Sequence, residues 1–571
     1  MVYTFSSKNR GSKFLEIELL VDNVKENNVL LQLPSWRPGR YELANFAKNI
    51  QHFDVQSMDG KTLEFVKKSK DQWEVTTKGV SEFKVIYNYY SNELNAGSTW
   101  VDDHQIYVNP VNCCLYVVGR ESETIKVFLN EKKNERVATG MKKVEDHYVV
   151  DHFDMLADSP FILSDNIKQN SYTVNGVRFN IWFQGECNPD WGKLKKDFKA
   201  FTKVQLAVMG DFPFDEYHFI YQILPQKAYH GVEHLTSTVI SYGPGYCIME
   251  GQDYEELLGV SSHELFHAWN IKSIRPQDMF PYDFSKENYS KMGYLAEGVT
   301  TYYGDLFLKR SAVFTTSQFL KQINKILDRH FFNYGAQNLS VAESSFDTWL
   351  DGYVRGIPNR KASIYTEGSI LAMATDLLIR DASNGEKSLD SVLNRLFQNY
   401  AQKGKGVKEL DYKKELEKAS GCSFDELWNN YYYGTGDYFG LLKNVLPKFG
   451  FDLTKTKTPK TLAAKFGLYT EPNSNKVLLI APDSSGYKNG FNIGDEIVSI
   501  NDVLLEKNNS NEWANYFEGS LKISVRKDGL IRTVVLKPSK STFFDVVRIV
   551  ELQKVKSKVL KRKNNWLTLK K

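Results

Sequence analysis

The hydrophobic pattern of this chain changes its period about a third of the way along. Up to about residue 165 apolar and polar residues alternate, as in residues 15–21. Such alternation predicts β-strands with one buried face. From about residue 190 the apolar residues recur at the 3.6-residue period of an α-helix, for example at Leu194, Phe198 and Phe201. The chain is therefore predicted to begin as a strand-rich domain and to continue as an α+β region that becomes helical.

The length of 571 residues exceeds what one hydrophobic core serves, so several domains are expected. Hydrophobic residues make up 42% and aromatic residues 13% of the chain, which is typical of globular domains with well-filled interiors. We predict a multidomain α+β protein whose N-terminal domain, residues 1–165, is β-sandwich-like. The central α+β and helical domain spans 166–450, a small β-rich module spans 455–550, and a basic tail spans 551–571. A threonine- and lysine-rich stretch, residues 454–460, is predicted to be the linker before that module.

The net charge of +4 comes from the predicted tail. Residues 554–571 contain eight Lys or Arg and no acidic residue, so the rest of the chain has a net charge of −4. A nucleic-acid partner would therefore depend on the tail alone, since no other segment interleaves basic and aromatic residues. A solvated or frayed terminus explains the same charges, and we expect no nucleic-acid binding.

The cysteine count and the first residues favour the cytoplasm. Five cysteines, an odd number, with no Cys-x-x-Cys spacing argue against a disulfide framework or a thiolate zinc site. The N-terminus lacks the apolar run of a signal peptide, and no stretch of about 18 apolar residues could span a membrane. We expect a cytoplasmic protein with no membrane partner; export after removal of a signal peptide is the alternative.

Residues 263–267 read His-Glu-Leu-Phe-His, a spacing that suits a metal site on a helix. Positions i and i+4 share one face of an α-helix, so His263 and His267 could bind one zinc ion while Glu264 flanks a water molecule beside it. The alternative is a surface helix with two unrelated histidines. Of the two, the pattern favours a metallopeptidase.

A catalytic zinc ion generally has three protein ligands, so a third one is required. The segment around Glu297 is predicted to be a helix on which Gly293, Gly298 and Gly304 share the face of the glutamate. Small residues let that face approach another helix closely; a glutamate on a solvated helix is the alternative. With Glu297 as third ligand, zinc lowers the pKa of its water towards about 7, and Glu264 is the predicted general base.

With these motifs the chain resembles the glycyl aminopeptidase family of gluzincin metallopeptidases. The resemblance covers nearly the whole chain and is carried by residues 33–39 (Leu-Pro-Ser-Trp-Arg-Pro-Gly), 263–270 (His-Glu-Leu-Phe-His-Ala-Trp-Asn), 275–276 (Arg-Pro) and 295–303 (Leu-Ala-Glu-Gly-Val-Thr-Thr-Tyr-Tyr). It implies a β-domain, a thermolysin-like zinc catalytic domain and a PDZ domain. It also implies an aminopeptidase that removes N-terminal residues, with glycine and alanine preferred.

Further site residues follow from this resemblance. Tyr365, in Tyr-Thr-Glu-Gly-Ser, looks like the tyrosine that donates a hydrogen bond to the developing oxyanion in related aminopeptidases. Glu233, in His-Gly-Val-Glu-His, is similar to the glutamate that binds the free amine of a substrate, with Gly231 in the same element. His234 is assigned to substrate binding or, equally, to a structural role. No partner is identified that orients the zinc-binding histidines, because Thr301 stands where related sites often have an aspartate.

The C-terminal module resembles a PDZ domain. Phe466, Gly467 and Leu468 lie in the possible carboxylate-binding loop, and residues 490–501 are its most characteristic stretch. A PDZ domain binds an extended peptide as an added strand, whereas a structural docking unit is the alternative. Two other functions stay open: a zinc endopeptidase of the same fold, in which Glu233 binds no amine, and a peptide-binding scaffold with a vestigial metal site. The predicted partner is a peptide with a free N-terminus.

Overall fold

The computed structural model describes residues 1–353 and 356–569. Its N-terminal part consists of β-sheets, and in the strand Phe14–Val21 every second side chain is buried, as the alternating pattern predicts. The strands of the largest sheet, in spatial order, are Lys142–Val144, His147–Val150, Ile125–Leu129, Val2–Ser6, Phe14–Val21, Phe83–Tyr90 and Ile50–Ser57. A second sheet contains Tyr116–Val117, Asn28–Gln32, Gln72–Thr76 and Phe65–Lys67, and a third contains Arg136–Thr139, Phe161–Ser164, Gln105–Val108 and Trp100–Val101. Two short helices, Pro110–Cys113 and Phe153–Ala157, connect these strands.

The central region begins with a mixed sheet whose edge strand borders the site described below. Its strands, in spatial order, are Lys168–Val174, Val177–Gln184, Glu216–Ile223, Ser237–Gly243 and Ala228–Glu233. The second and third strands are parallel, so they need a crossover, which the helix Trp191–Met209 supplies. The last strand, Ala228–Glu233, is called the edge strand below; it pairs only with its antiparallel neighbour among the described residues.

Helices dominate the following segment, as the 3.6-residue period predicts. They are Gly251–His267, Tyr294–Val299, Thr300–Arg310, Thr316–Phe331, Val341–Phe346, Thr348–Asp351, Thr366–Ala382, Leu389–Asn399, Glu409–Ser420, Asp425–Leu427, Trp428–Tyr432 and Tyr438–Val445. Tyr294–Val299 and Trp428–Tyr432 are π-helical. Over residues 1–353 and 356–569, no helix combines the length and the apolarity needed to cross a membrane.

A small C-terminal module has a hydrophobic core of its own. Leu462, Ile497 and Ile523 are among the side chains buried in it. Its strands are Leu468–Thr470, Val477–Ile480, Glu496–Ile500, Val503–Leu504, Leu521–Lys527 and Leu530–Leu536, and its helices are Thr461–Phe466, Ser485–Lys488 and Ser510–Tyr516.

The predicted linker is wrong at its N-terminal end. Residues 454–456 belong to the strand Phe451–Thr456, which pairs with the strand Val546–Glu551. Val547 and Ile549 of the second strand are buried in the core of the central region rather than in that of the module. The alternation of Phe451 and Leu453 with polar residues was hidden by the composition of the threonine- and lysine-rich stretch. The chain therefore leaves and re-enters the central region through one antiparallel strand pair.

The expectation of a solvated or frayed basic tail is also wrong. Residues Ser557–Leu567 form a helix, and the Trp566 side chain is fully buried. The indole Nε1 of Trp566 donates to the Tyr302 hydroxyl at 2.7 Å, and the guanidinium of Arg310 donates to the Trp566 carbonyl oxygen at 3.0 Å. Lys558 and Lys561 of this helix are exposed, whereas the Lys563 side chain is only 16% exposed and forms an ion pair with Glu551. Trp566 and Leu567 are buried in the core of the central region. The predicted tail also includes residues 570 and 571, which lie outside the described residues.

The N-terminal domain packs directly against the loop that follows the helix Gly251–His267. The Trp36 indole nitrogen donates to the carbonyl oxygen of Asp283 at 2.8 Å. The Arg275 guanidinium forms an ion pair with Asp154 at 3.0 Å. Trp36 and Arg275 belong to segments that carry the family resemblance, and the two contacts fix a wall of the N-terminal domain beside the central region.

Candidate active site

The helix Gly251–His267 places two imidazoles on one face at its C-terminal end. The Nε2 atoms of His263 and His267 lie 3.0 Å apart. Behind them the helix packs closely on Thr300–Arg310, because a Cβ atom at Gly304 would lie only 3.2 Å from the Cα of His263. The side chain of His267 is almost fully buried and that of His263 is one-fifth exposed. The pair therefore faces a cleft that solvent reaches from the His263 side.

Glu297 approaches both histidines from the π-helical turn Tyr294–Val299. Its Oε2 atom lies 3.4 Å from Nε2 of His267 and 3.8 Å from Nε2 of His263. The small residues of this helix permit a close crossing, as predicted: a Cβ at Gly298 would lie 2.4 Å from the Cα of Gly368 on the helix Thr366–Ala382. Single π-helical turns often occur at functional sites because they redirect a side chain. The turn aims Glu297 into the cleft.

The three side chains fit a divalent metal ion held by two imidazoles and a carboxylate. Ligand bonds of about 2.0–2.1 Å in a tetrahedral site imply donor atoms about 3.3–3.4 Å apart, and the separations here are 3.0, 3.4 and 3.8 Å. Nδ1 of His267 donates to the carbonyl oxygen of Asn270 at 2.8 Å, which leaves the lone pair of Nε2 directed at the cleft. The partner of His267 that the sequence left unidentified is thus a backbone carbonyl.

Glu264 lies beside this group without being one of its three donors. A Cβ atom at Gly231 of the edge strand would lie 2.0 Å from Oε1 of Glu264, so the strand touches the carboxylate directly. The Thr238 hydroxyl donates to Oε2 at 3.4 Å. Burial raises the pKa of Glu264 to about 8, with the charge of His267 opposing the rise and the nearby carboxylates adding to it. The absence of a side chain at Gly231, which is predicted to bind substrate, leaves space for the Glu264 carboxylate.

Glu233, at the end of the edge strand, points its carboxylate into the same cleft. One oxygen lies within 4.8 Å of an oxygen of Glu264 and of a ring nitrogen of His267. Glu233 is 5% exposed, and no residue in the described ranges donates a hydrogen bond to it. A loop of the N-terminal domain covers it, since a Cβ at Gly39 would lie 2.6 Å from its Oε2. A buried carboxylate without a donor is poised for a cationic partner.

His234 does not join this cleft. Its side chain is 4% exposed, and Nδ1 lies 3.0 Å from Asp158 of the N-terminal domain. The Lys272 ammonium donates to the same carboxylate at 2.8 Å. These two neighbours lower the pKa of Asp158 to about 2, outweighing burial, which raises it. The structure favours the structural role that the sequence allowed for His234 over substrate binding.

Tyr365 starts the helix Thr366–Ala382 and reaches the cleft together with two other phenols. Burial raises its pKa, and the charges of Glu297 and Glu233 contribute to the rise. Tyr353 accompanies Tyr365 and donates from its hydroxyl to the Gly39 carbonyl oxygen at 3.1 Å. A neutral phenol beside the cleft can donate a hydrogen bond to an oxyanion.

The predicted peptide-binding loop of the C-terminal module is closed. Phe466 and Leu468 are buried in the module core. The Gly467 N–H, which a bound carboxylate would need, donates to the Ala463 carbonyl oxygen at 3.1 Å, and the Gly467 carbonyl accepts from Ala481 at 2.9 Å. In this conformation the loop offers no free donor at Gly467.

Comparison with known families agrees with this geometry. Residues 2–165 match the family model described as Peptidase M61 N-terminal domain, and residues 256–371 match that of M61 glycyl aminopeptidase. The chain is an M61 peptidase. The second match contains the two histidines, Glu264, Glu297 and Tyr365. An M61 glycyl aminopeptidase domain makes this chain an enzyme, a metallopeptidase of the aminopeptidase type.

A solved structure shares the fold of this M61 peptidase. An aminopeptidase N family protein from Idiomarina loihiensis superposes with a TM-score of 0.91 at 22% identity, covering 99% of this chain and 100% of that one. A mutant M1 zinc metallopeptidase from Deinococcus radiodurans, bound to a Tyr-Ser-Ala substrate, gives a TM-score of 0.48 at 12% identity over 76% of this chain and 94% of that one. No curated protein matches the chain.

Sequence reasoning missed the part of the cleft that the N-terminal domain of this M61 peptidase supplies. Gly39 contacts Glu233, and Tyr41 lines a small cavity together with Ala296, the neighbour of Glu297 in sequence. Burial raises the pKa of Tyr41, and the charges of Glu297 and Glu233 add to the rise. Tyr353 was missed as well. The signal was present in residues 33–39, which were quoted for the family resemblance but were given no role.

Proposed function

We propose that this chain is a zinc aminopeptidase that removes N-terminal residues, preferably glycine or alanine, from peptides. The ligands are His263, His267 and Glu297. Bound zinc supplies a Lewis acid for the scissile carbonyl and acidifies a neighbouring water molecule. The proposed preference for small residues is supported by the glycyl aminopeptidase match.

Glu264 is the general base of the proposed reaction. It takes a proton from the attacking water molecule and later delivers it to the leaving amine. The contact with Gly231 and the hydrogen bond from Thr238 hold the carboxylate in one orientation beside the metal ligands. Replacement of Glu264 by Gln keeps the shape and removes the base, so turnover should fall by about 10²- to 10⁴-fold while zinc content stays unchanged.

Tyr365 stabilises the oxyanion that forms when water attacks the carbonyl. Burial and the carboxylates around it raise the pKa of its phenol, so the hydroxyl keeps its proton at neutral pH and can donate it in a hydrogen bond. Tyr365 lies at the N-terminus of the helix Thr366–Ala382. Because this helix crosses the Glu297 helix closely at Gly298 and Gly368, the backbone of Tyr365 is fixed relative to that of Glu297.

The proposal of exopeptidase activity rests on the Glu233 carboxylate, which is buried, lacks a donor and lies within 4.8 Å of Glu264 and His267 atoms. The free ammonium group of a peptide would form a charge-assisted hydrogen bond with it. A peptide held there places its first peptide bond at the metal ligands and leaves no room for a preceding residue, because the Gly39 loop covers Glu233. An endopeptidase would need that space open.

A comparison of free and N-acetylated peptides tests this proposal. We expect kcat/KM for Ala-Ala-Phe amide to exceed that for its N-acetylated form by at least 10²-fold. Glu233→Gln should lower kcat/KM for the free peptide strongly and leave the acetylated peptide unaffected. Equal cleavage of both peptides by the wild type would identify an endopeptidase. Zinc-free protein that retains turnover would refute the metal mechanism, whereas zinc-loaded protein without turnover would support the scaffold alternative.

For the C-terminal module we propose a PDZ-like unit that docks on the central region. The division retains residues 1–165 and 166–450 as the first two domains and assigns the strand pair Phe451–Thr456 and Val546–Glu551 to the central region. Support for docking comes from Phe544, which is buried between Tyr334 of the central region and Tyr469 of the module. Titration with peptides carrying free C-termini tests the alternative of a peptide-binding unit; saturable binding that Gly467→Val abolishes would favour it.

A further inference from the structure

A pocket of about 560 Å³ opens on the N-terminal domain, behind the loop that contacts Glu233. Arg37 forms part of its wall, together with Gly97 and the exposed Lys48. Gly39 lies two residues after Arg37 in the same loop. It is Gly39 that touches the Glu233 carboxylate. The loop therefore separates this pocket from the catalytic cleft.

Arg37 is a buried cation without an anionic partner. Arg37 is 6% exposed, and among the described residues its guanidinium donates one long hydrogen bond, from Nη1 to the Pro38 carbonyl oxygen at 3.4 Å. Within residues 1–353 and 356–569, no carboxylate oxygen lies within 4.0 Å of an Arg37 nitrogen. Burial lowers the pKa of Arg37, and the charge of Glu233 offsets only part of that effect. A buried guanidinium with unused N–H groups is costly unless an anion accepts from them.

The pocket is shaped around this guanidinium. A Cβ atom at Gly97 would lie 2.2 Å from Cζ of Arg37, so the side chain rests directly on the glycine backbone. The acidic residues of the pocket are already engaged: Glu42 is paired with Arg40, and Glu93 accepts from the Asn95 amide at 2.7 Å. Neither is available to neutralise Arg37.

We propose that Arg37 and this pocket form a carboxylate-binding site adjoining the amine-binding Glu233. A planar guanidinium binds a carboxylate through two parallel hydrogen bonds, and the pocket volume admits a small carboxylate. Occupancy neutralises a positive charge beside Glu233 and so strengthens the attraction of Glu233 for a substrate ammonium group. The kinetic consequences of this site rest on the proposed aminopeptidase function. Binding of a carboxylate at Arg37 does not depend on that function.

The carboxylate has two chemically equivalent sources. One is the side chain of an N-terminal Asp or Glu residue, which would have to pass the Gly39 loop to reach Arg37 while Glu233 binds its ammonium group. The other is a free small carboxylate that enters the pocket from solvent. The first source makes Arg37 a specificity-determining residue, and the second makes it a binding site that modulates turnover of neutral substrates.

Calorimetric titration with sodium acetate at constant ionic strength tests the binding site on the zinc-loaded protein. Arg37→Gln should weaken acetate binding about tenfold or more, as expected for loss of charge-assisted hydrogen bonds. Lys48→Gln, which removes one exposed positive charge from the same pocket, is the matched control and should change it less than twofold. If Arg37→Gln does not fold, Arg37→Lys keeps the charge without the two-pronged geometry and should weaken binding severalfold.

Kinetics then distinguish the two sources. If the source is the substrate, the ratio of kcat/KM for Asp-peptides over Asn-peptides falls at least tenfold in Arg37→Gln. If the source is a free carboxylate, that ratio stays constant, and acetate lowers KM for an Ala-peptide in the wild type but not in Arg37→Gln. Equal acetate affinity of the wild type and Arg37→Gln would overturn the proposal of a carboxylate-binding site. If both proteins then still turn over Ala-peptides, the aminopeptidase function stands without that site.

Discussion

Replacing Gly231 by alanine tests how the edge strand positions Glu264. The added Cβ would lie 2.0 Å from Oε1 of Glu264. Because Cβ contacts below 3.0 Å essentially do not occur, the carboxylate has to move by about 1 Å or more. The strand has little freedom to yield, since Gly231 pairs with Ile240 in the sheet. The carboxylate and not the backbone should therefore shift.

A displacement of about 1 Å from productive geometry costs about 10²-fold in rate. We expect kcat of Gly231→Ala to fall about 10²-fold, with KM changed little, because Glu233 and the metal ligands are untouched. Zinc content, measured by atomic emission, should stay at the wild-type level. Gly259→Ala is the matched control: Gly259 lies on the same helix as Glu264, and its added Cβ would meet only Asp305 at 3.9 Å.

The reasoning is refuted if Gly231→Ala keeps kcat within threefold of the wild type while it is folded and zinc-loaded. A loss of zinc together with activity would also count against it, because the contact would then act on the ligands rather than on the base. Gly259→Ala should retain full kcat and gain up to about 1 kcal/mol in stability from its helical position.

Three further outcomes are expected. Tyr365→Phe should lower kcat about 10²- to 10³-fold with little change in KM; steady-state kinetics showing a loss below tenfold would remove the proposed oxyanion contact. The pKa of Asp158 is lowered to about 2 in the folded state. Its contribution of about 2.5 kcal/mol to the free energy of unfolding is therefore present above about pH 4 and is lost as pH falls towards 2. Urea unfolding should show this decline in the wild type but not in Asp158→Asn. Trp566→Ala should destabilise the protein by about 3–5 kcal/mol, measured calorimetrically, whereas Leu560→Ala, at an exposed position of the same helix, should cost under about 1 kcal/mol.

The metal group was predictable because it depends on local helical geometry. The spacing of His263 and His267 fixes their common face on any α-helix, and the small residues around Glu297 indicate a close helix crossing from the sequence alone. The π-helical form of the turn that bears Glu297 could not be read, since a π-turn leaves no distinct pattern in one sequence.

The less predictable features depend on long-range packing. Tyr41 and Gly39 enter the cleft only because the N-terminal domain docks through Trp36 and Asp283, residues 247 positions apart. The position of the C-terminal tail also depends on long-range packing and was not predicted. Its basic composition predicted a solvated segment, yet the Trp566 side chain decides its position through burial.

The Trp566–Tyr302 hydrogen bond has a consequence for the order in which the protein assembles during synthesis. It joins residues 264 positions apart, and Tyr302 lies on the helix that continues directly from Glu297. Arg310, at the other end of that helix, donates to the carbonyl oxygen of Trp566 as well. A nascent chain that already contains the complete metal-binding motif therefore still lacks the residues that pack against the helix Thr300–Arg310. The site reaches its final packing only after the ribosome has translated the segment around Trp566.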